Sequence, residues 1–200
     1  MSRLPVVLPH GLRVTGRVWD PQARALAAER PVSAPDLPGH GTRADRPFTA
    51  DAVADVVAAE IDSLSGRALL AGISMGGYAS IIAAARYPER IAGLVPIGCT
   101  MLPAATRTLP YRALSRLGGH GGEGVQRWLF RRMLGEDGAR AIISGGLYTT
   151  AIPDVLRVLS RFDPLGALSS YPGRVHLVNG SRDHLRVNER RFLAACRRGA

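Results

Sequence analysis

Leu69-Leu70-Ala71-Gly72-Ile73-Ser74-Met75-Gly76-Gly77-Tyr78-Ala79-Ser80 is the stretch that decides the fold. A short apolar run leads into Gly-x-Ser-x-Gly, and an Ala/Ile-rich segment with helical spacing follows. That order predicts a strand, a sharp turn and a helix. A turn this tight holds Ser74 in a strained backbone conformation. Gly72 and Gly76 remove the Cβ atoms that would otherwise collide on either side, and Gly77 lets the helix approach the sheet. The hydroxyl is expected at the top of a sheet, at the positive end of a helix dipole. A bare Gly-x-Ser-x-Gly can also be a glycine-rich turn with an incidental serine. The strand before it and the helix after it favour a nucleophile elbow.

Outward from this stretch, strands and helices alternate. Leu4 to Leu8 reads as a buried strand ending at Pro9-His10-Gly11. Asp20 reads as an N-cap before Pro21 and a helix over Gln22 to Glu29. Pro31 to Pro35 is a short strand running into Asp36-Leu37-Pro38-Gly39-His40-Gly41. Thr49 caps a helix whose Val53, Val56, Val57, Ile61 and Leu64 share one face, and Gly66 closes it. Ile91 to Ile97 is the strand after the Ser74 helix. This alternation predicts βαβ units around a parallel sheet. The pattern breaks from about Cys99 to Phe162, where helical patches (Val125–Leu134, Gly138–Ile143, Asp154–Leu159) are separated by Gly and Pro. They read as an inserted helical cap, with Gly118 to Gly122 as a flexible connection. Arg174 to Asn179 resumes the sheet, and a final helix starts near Val187 with Phe192 and Leu193. The expected fold is thus a three-layer α/β protein with a mostly parallel sheet. Residues 1–98 and 163–200 form its core, and 99–162 the cap.

Two hundred residues suit one domain with a real core. The formal net charge is +10, and all 26 basic residues are arginine. They are scattered and not interleaved with aromatics, which argues for a coding bias over a nucleic-acid surface. No leader pattern and no membrane-length apolar run is present, so a cytoplasmic protein is expected. Cys99 and Cys196 suggest neither a disulfide framework nor a metal site. No cofactor or metal is expected.

The order of strand–His10-Gly11, Asp36-Leu37-Pro38-Gly39-His40-Gly41, Gly72-Ile73-Ser74-Met75-Gly76-Gly77, helical cap and strand–Gly180-x-x-Asp183 resembles the α/β-hydrolase family. It is similar to the capped esterase, lactonase and carbon–carbon-bond hydrolase branch. The resemblance implies Ser74 as nucleophile and the main-chain N–H groups of Leu12 and Met75 as the oxyanion hole. It implies Asp183 as the acid that orients the base, although a turn Asp is the common alternative. His10 is expected to shape its loop by bonding to backbone, and Asp163 to cap a helix before Pro164.

The family's catalytic histidine follows one further strand beyond the acid, and no residue here matches it. His184 adjoins Asp183 and diverges from it; His176 belongs to a strand, His40 to a loop, and His120 to the Gly-rich connection. Relative to the family, the chain also starts at the strand carrying His10-Gly11, without two usual edge strands. It stops at Ala200, in what reads as the helix before the last strand. The Val175–Val178 strand is therefore expected as an exposed apolar edge, with Phe192 and Leu193 short of a partner surface and a tendency to self-association. Two functions compete: a serine hydrolase of an ester, thioester, lactone or related acyl compound, and a non-catalytic protein holding such a ligand. Leu129, Phe130, Met133, Ile142 and Leu147 suggest an apolar acyl or alkyl group.

Overall fold

The structure, a computed structural model, describes residues 3–103 and 123–200; within 123–137, side chains are described only at Trp128, Arg131, Arg132 and Glu136. Five strands form one sheet: β1 (Val6–Val7), β2 (Val32–Ser33), β3 (Ala68–Ile73), β4 (Ile91–Ile97) and β5 (Arg174–Val175), in the order β2-β1-β3-β4-β5. Every pair is parallel; Val6 stands opposite Leu69, Ile73 opposite Ile97, and Leu94 opposite Val175. Parallel neighbours need crossover connections, and helices supply them: α1 (Asp20–Ala27), α2 (Ala50–Leu64), α3 (Met75–Arg86), α4 (Glu123–Ser144), α5 (Ile152–Arg161), α6 (Pro164–Ser170) and α7 (Glu189–Ala195).

Alternation along the strands builds two cores. Val7, Ala68 and Leu70 point into a large cluster with α2, α3, Leu168 and Phe192. Val6, Leu8 and Leu69 point the other way, to Trp19, Ala23 and Leu26 at α1. Helix, sheet and helix therefore form three layers. Thr49 caps α2 by accepting the Ala52 N–H (3.1 Å), and Gly66 closes that helix at φ 74°. Asp163 likewise caps α6, accepting the Leu165 N–H at 3.1 Å.

Four local expectations need correction. Asp20 is not a cap: a 3-10 turn over Gly16–Trp19 runs straight into α1, so Asp20 already lies inside the helix. The helical patches 125–134 and 138–143 are one segment, α4, broken at Gly135 (φ 72°, ψ 178°). The chain also does not end inside a helix. α7 stops at Ala195, and Arg198–Ala200 pairs with β5: the Val175 and Leu177 N–H groups donate to the Arg198 and Ala200 carbonyls (3.0 and 2.9 Å), and the Ala200 N–H returns to Val175 at 3.0 Å. The edge expected to be open at Val175–Val178 is thus partly paired, and Phe192 is fully buried. Gly118 to Gly122, with His120, lies outside the described residues. No helix among the described residues is long and apolar enough to cross a membrane.

Candidate active site

Ser74 joins β3 to α3 at φ 52° and ψ −117°, one of only two non-glycine residues with positive φ among those described. Three glycines make the bend sterically feasible. A Cβ on Gly72 would fall 2.1 Å from the Gly76 carbonyl oxygen, and one on Gly76 would fall 2.1 Å from the Pro9 carbonyl oxygen. One on Gly77 would meet the Cys99 sulfur at 2.5 Å. The Ser74 N–H donates to the Ile97 carbonyl at 2.7 Å, locking the turn to β4. Its side chain is half-buried and, among the described residues, has no hydrogen-bond partner.

The close approach at Gly76 presses the start of α3 against the loop after β1. On that loop, an ideal Cβ on Gly11 would lie 3.9 Å from the Ser74 Cβ. Leu12, Ser74 and Met75 consequently line one small cavity of about 80 Å³, whose remaining described walls are Tyr78, Met101, Pro103, Val155, Leu156, Leu159 and Leu185. Met75 opens α3, so its N–H has no partner within the helix. The described walls are apolar apart from Ser74 and the Tyr78 hydroxyl, and that hydroxyl donates to the Met101 carbonyl. Ile142 and Leu147, expected from the sequence as walls, are not among the lining residues; the described part is built by α5 and by the segment after β4. The side chains of Leu129, Phe130 and Met133 lie outside those described.

Asp183 lies in the loop beyond β5. Its carboxylate packs over the residue that follows β4, 2.8 Å from where a Gly98 Cβ would stand. It accepts the Leu185 N–H at 2.8 Å, and Leu185 reaches the Ser74 cavity. Asn188 clips the same loop to the segment after β4, accepting the Leu102 N–H at 3.0 Å. Nearby, burial pushes the Cys99 thiol pKa up, with the Asp183 charge adding to it, so this cysteine is inert.

The histidines divide sharply. His184 is 78% exposed, with Nδ1 3.9 Å from the Asp183 carboxylate. His176, expected in a strand, lies exposed just after the end of β5. His10 and His40 are fully buried and, among the described residues, hydrogen-bond only to main chain. The Leu37 N–H donates to His10 Nε2 (2.9 Å), so the ring proton is on Nδ1, against the Gly11 carbonyl at 2.8 Å. The Arg13 N–H donates to His40 Nε2 (3.2 Å), leaving Nδ1 to bond the Pro38 carbonyl at 3.0 Å. The two rings meet edge to face at 5.1 Å. Burial drives His10 down to about 4, against the opposing pull of its Gly11 bond, and His40 lowers it further. Burial also lowers His40, more than the Pro38 bond and Asp36 raise it. Asp36 is itself partly buried, but the Thr42 and Gly16 N–H bonds it accepts outweigh that and hold its carboxyl below the usual range. Sequence reading placed His40 only in a loop; its pairing with the Leu12 loop had no local signal beyond the recurrence of His-Gly at 10 and 40. Among the described residues, no group of three or more His, Cys, Asp or Glu could hold a metal ion.

A parallel sheet with a serine on a strained strand-to-helix turn, facing a second main-chain loop, defines the α/β-hydrolase class. The chain belongs to the alpha/beta hydrolase family, whose sequence profile matches residues 6–200. It is 42% identical over 90 residues to the pimeloyl-[acyl-carrier protein] methyl ester esterase of Neisseria meningitidis, covering 44% of this chain and 28% of that protein. It is 30% identical over 143 residues to the enzyme of the same name from Edwardsiella ictaluri, covering 68% of this chain and 54% of the other. These matches span between about a quarter and about a half of the relatives' lengths. Among solved structures, an esterase from Thermogutta terrifontis superposes with a TM-score of 0.78 at 23% identity, over 100% of this chain and 80% of the other.

Proposed function

We propose that the protein is a serine hydrolase that forms an acyl-enzyme at Ser74 with an ester, thioester, lactone or related acyl substrate. The observation that carries this is the Ser74 backbone at φ 52°, which aims a hydroxyl with no hydrogen-bond partner among the described residues into a cavity shared with Leu12 and Met75. Attack on the acyl carbon places the developing oxyanion at the Leu12 and Met75 N–H groups. One such donor contributes roughly 2.7–4 kcal/mol of transition-state stabilisation. Asp183 is the acid of the site; none of the described histidines reaches Ser74 as a base, so turnover is expected to be reduced, with roughly 10³–10⁴-fold over water supplied by the oxyanion hole and binding. The apolar lining favours a small uncharged acyl group. Residues 99–162, with α4 and α5, act as the cap over it. Relatives that hydrolyse methyl esters support the reaction class, and two unpaired cysteines fit a reducing, cytoplasmic setting.

A fluorophosphonate probe tests this directly. Labelling is expected at Ser74, with none in Ser74→Ala; equal labelling of both refutes the assignment. A second reading, a ligand-binding protein without turnover, is favoured by one observation. Both buried imidazoles are committed to main chain, and none of the described histidines bonds Ser74. Recovery of a bound ester unchanged after prolonged incubation would support it.

A further inference from the structure

The loop that carries Leu12 has little regular structure to fix it. β1 ends at Val7, and the next regular element is the 3-10 turn at Gly16. Arg13, directly after Leu12, adopts φ 74°, a left-handed conformation that a residue with a Cβ keeps only when its surroundings enforce it. Two main-chain bonds do so. The Arg13 N–H donates to His40 Nε2 at 3.2 Å, and the Arg13 carbonyl accepts the Tyr148 N–H at 2.8 Å. The first depends on protonation, because an imidazole nitrogen accepts only while it is unprotonated.

We propose that His40 is a positioning residue of the Ser74 site: its neutral ring holds the Arg13 N–H, fixes the Leu12 amide beside Ser74, and releases that loop when it takes up a proton. This rests on the hydrolase reading above. The ring is built in for the task. It is fully buried, its Nδ1–H is spent on Pro38, and its own N–H and carbonyl are tied to Leu37 and Arg43 (3.1 and 2.9 Å). Every neighbouring element contributes a group that faces it or tunes it. Asp36 lies on its own loop and favours the proton; His10 faces the ring edge to face, 5.1 Å away on the Leu12 loop, and is itself buried. Tyr148, between α4 and α5, meets the ring at a tilt of 58° with centroids 6.2 Å apart, and Arg43 spends its guanidinium on the Asp36 carbonyl and Glu60. Net burial keeps His40 neutral at pH 7, so the loop is held there and loosens on the acid side.

The test pairs a structural readout with a functional one. In 15N-labelled protein, the Arg13 amide should shift with pH in a step whose midpoint matches the His40 imidazole signals. His40→Gln keeps an acceptor near the Nε2 position and cannot titrate. It should lose that step and still be labelled at Ser74 within about threefold of wild type, with a flat acid limb. His40→Phe keeps the volume and loses the acceptor, and it should label at least about tenfold more slowly. An Arg13 amide that does not follow the His40 titration overturns the proposal even if both variants fail to fold, as does wild-type labelling in His40→Phe. Absence of labelling in the wild type overturns the hydrolase reading itself, and is told apart by the Arg13 titration remaining intact.

Discussion

Replacing Ser74 by glycine should stabilise the fold while abolishing its chemistry. Ser74 combines φ 52° with ψ −117°, away from the left-handed helical basin, where only glycine is at ease. Holding a side-chain residue in such a region costs about 1–3 kcal/mol. Glycine relieves that strain but loses more unfolded-state entropy, about 0.4–1 kcal/mol. The net expectation is a gain of about 1 kcal/mol, which for 200 residues raises Tm by about 2–4 °C. Ser74→Ala is the control. It removes an oxygen that has no hydrogen-bond partner among the described residues and keeps the Cβ, so it should stay within about 0.5 kcal/mol of wild type. Urea unfolding followed by circular dichroism, with equal slopes for all three proteins, gives the ranking. Glycine above alanine is the predicted order. Glycine at or below alanine would mean that the turn at residue 74 stores no strain, and the physical case for a built nucleophile would fail.

Two further outcomes follow from the same geometry. Gly76→Ala places a methyl group 2.1 Å from the Pro9 carbonyl oxygen, a main-chain atom that cannot rotate away; it should cost about 1–3 kcal/mol and slow Ser74 labelling, measured by urea midpoint and probe kinetics on one preparation. His10 has a folded value of about 4 against 6.5, so the unfolded chain binds the extra proton, and stability is full above pH 6.5 and falls as pH drops from 6.5 towards 4. The loss amounts to about 3 kcal/mol, and an unfolding midpoint that is flat between pH 7 and pH 4.5 would contradict it.

What could be read from the chain, and what could not, follows from the range of each requirement. The elbow was legible because its demands are local: glycines at 72, 76 and 77 leave room that the Gly76 carbonyl, Pro9 and Cys99 then occupy within 2.5 Å of where a Cβ would stand. Parallel pairing was legible from alternation, because buried strands and amphipathic helices carry different periods. The end of the chain is misread because three residues are too short to show a strand's period, and only Val175 and Leu177 reveal that Arg198–Ala200 bridges to the sheet. The cavity walls were misassigned because an apolar residue on a helix looks the same whether it faces the sheet or a pocket; Leu156 and Leu159 differ from Ile142 only in where α5 and α4 are laid down. The His40 to Arg13 bond joins positions 27 apart through a main-chain group, and main chain carries no residue identity at all. A reading of side chains can therefore locate the nucleophile of such a site. The loop that completes it is set by backbone conformation at Arg13, and the buried imidazole that satisfies that backbone can be found only once the two loops have been brought together.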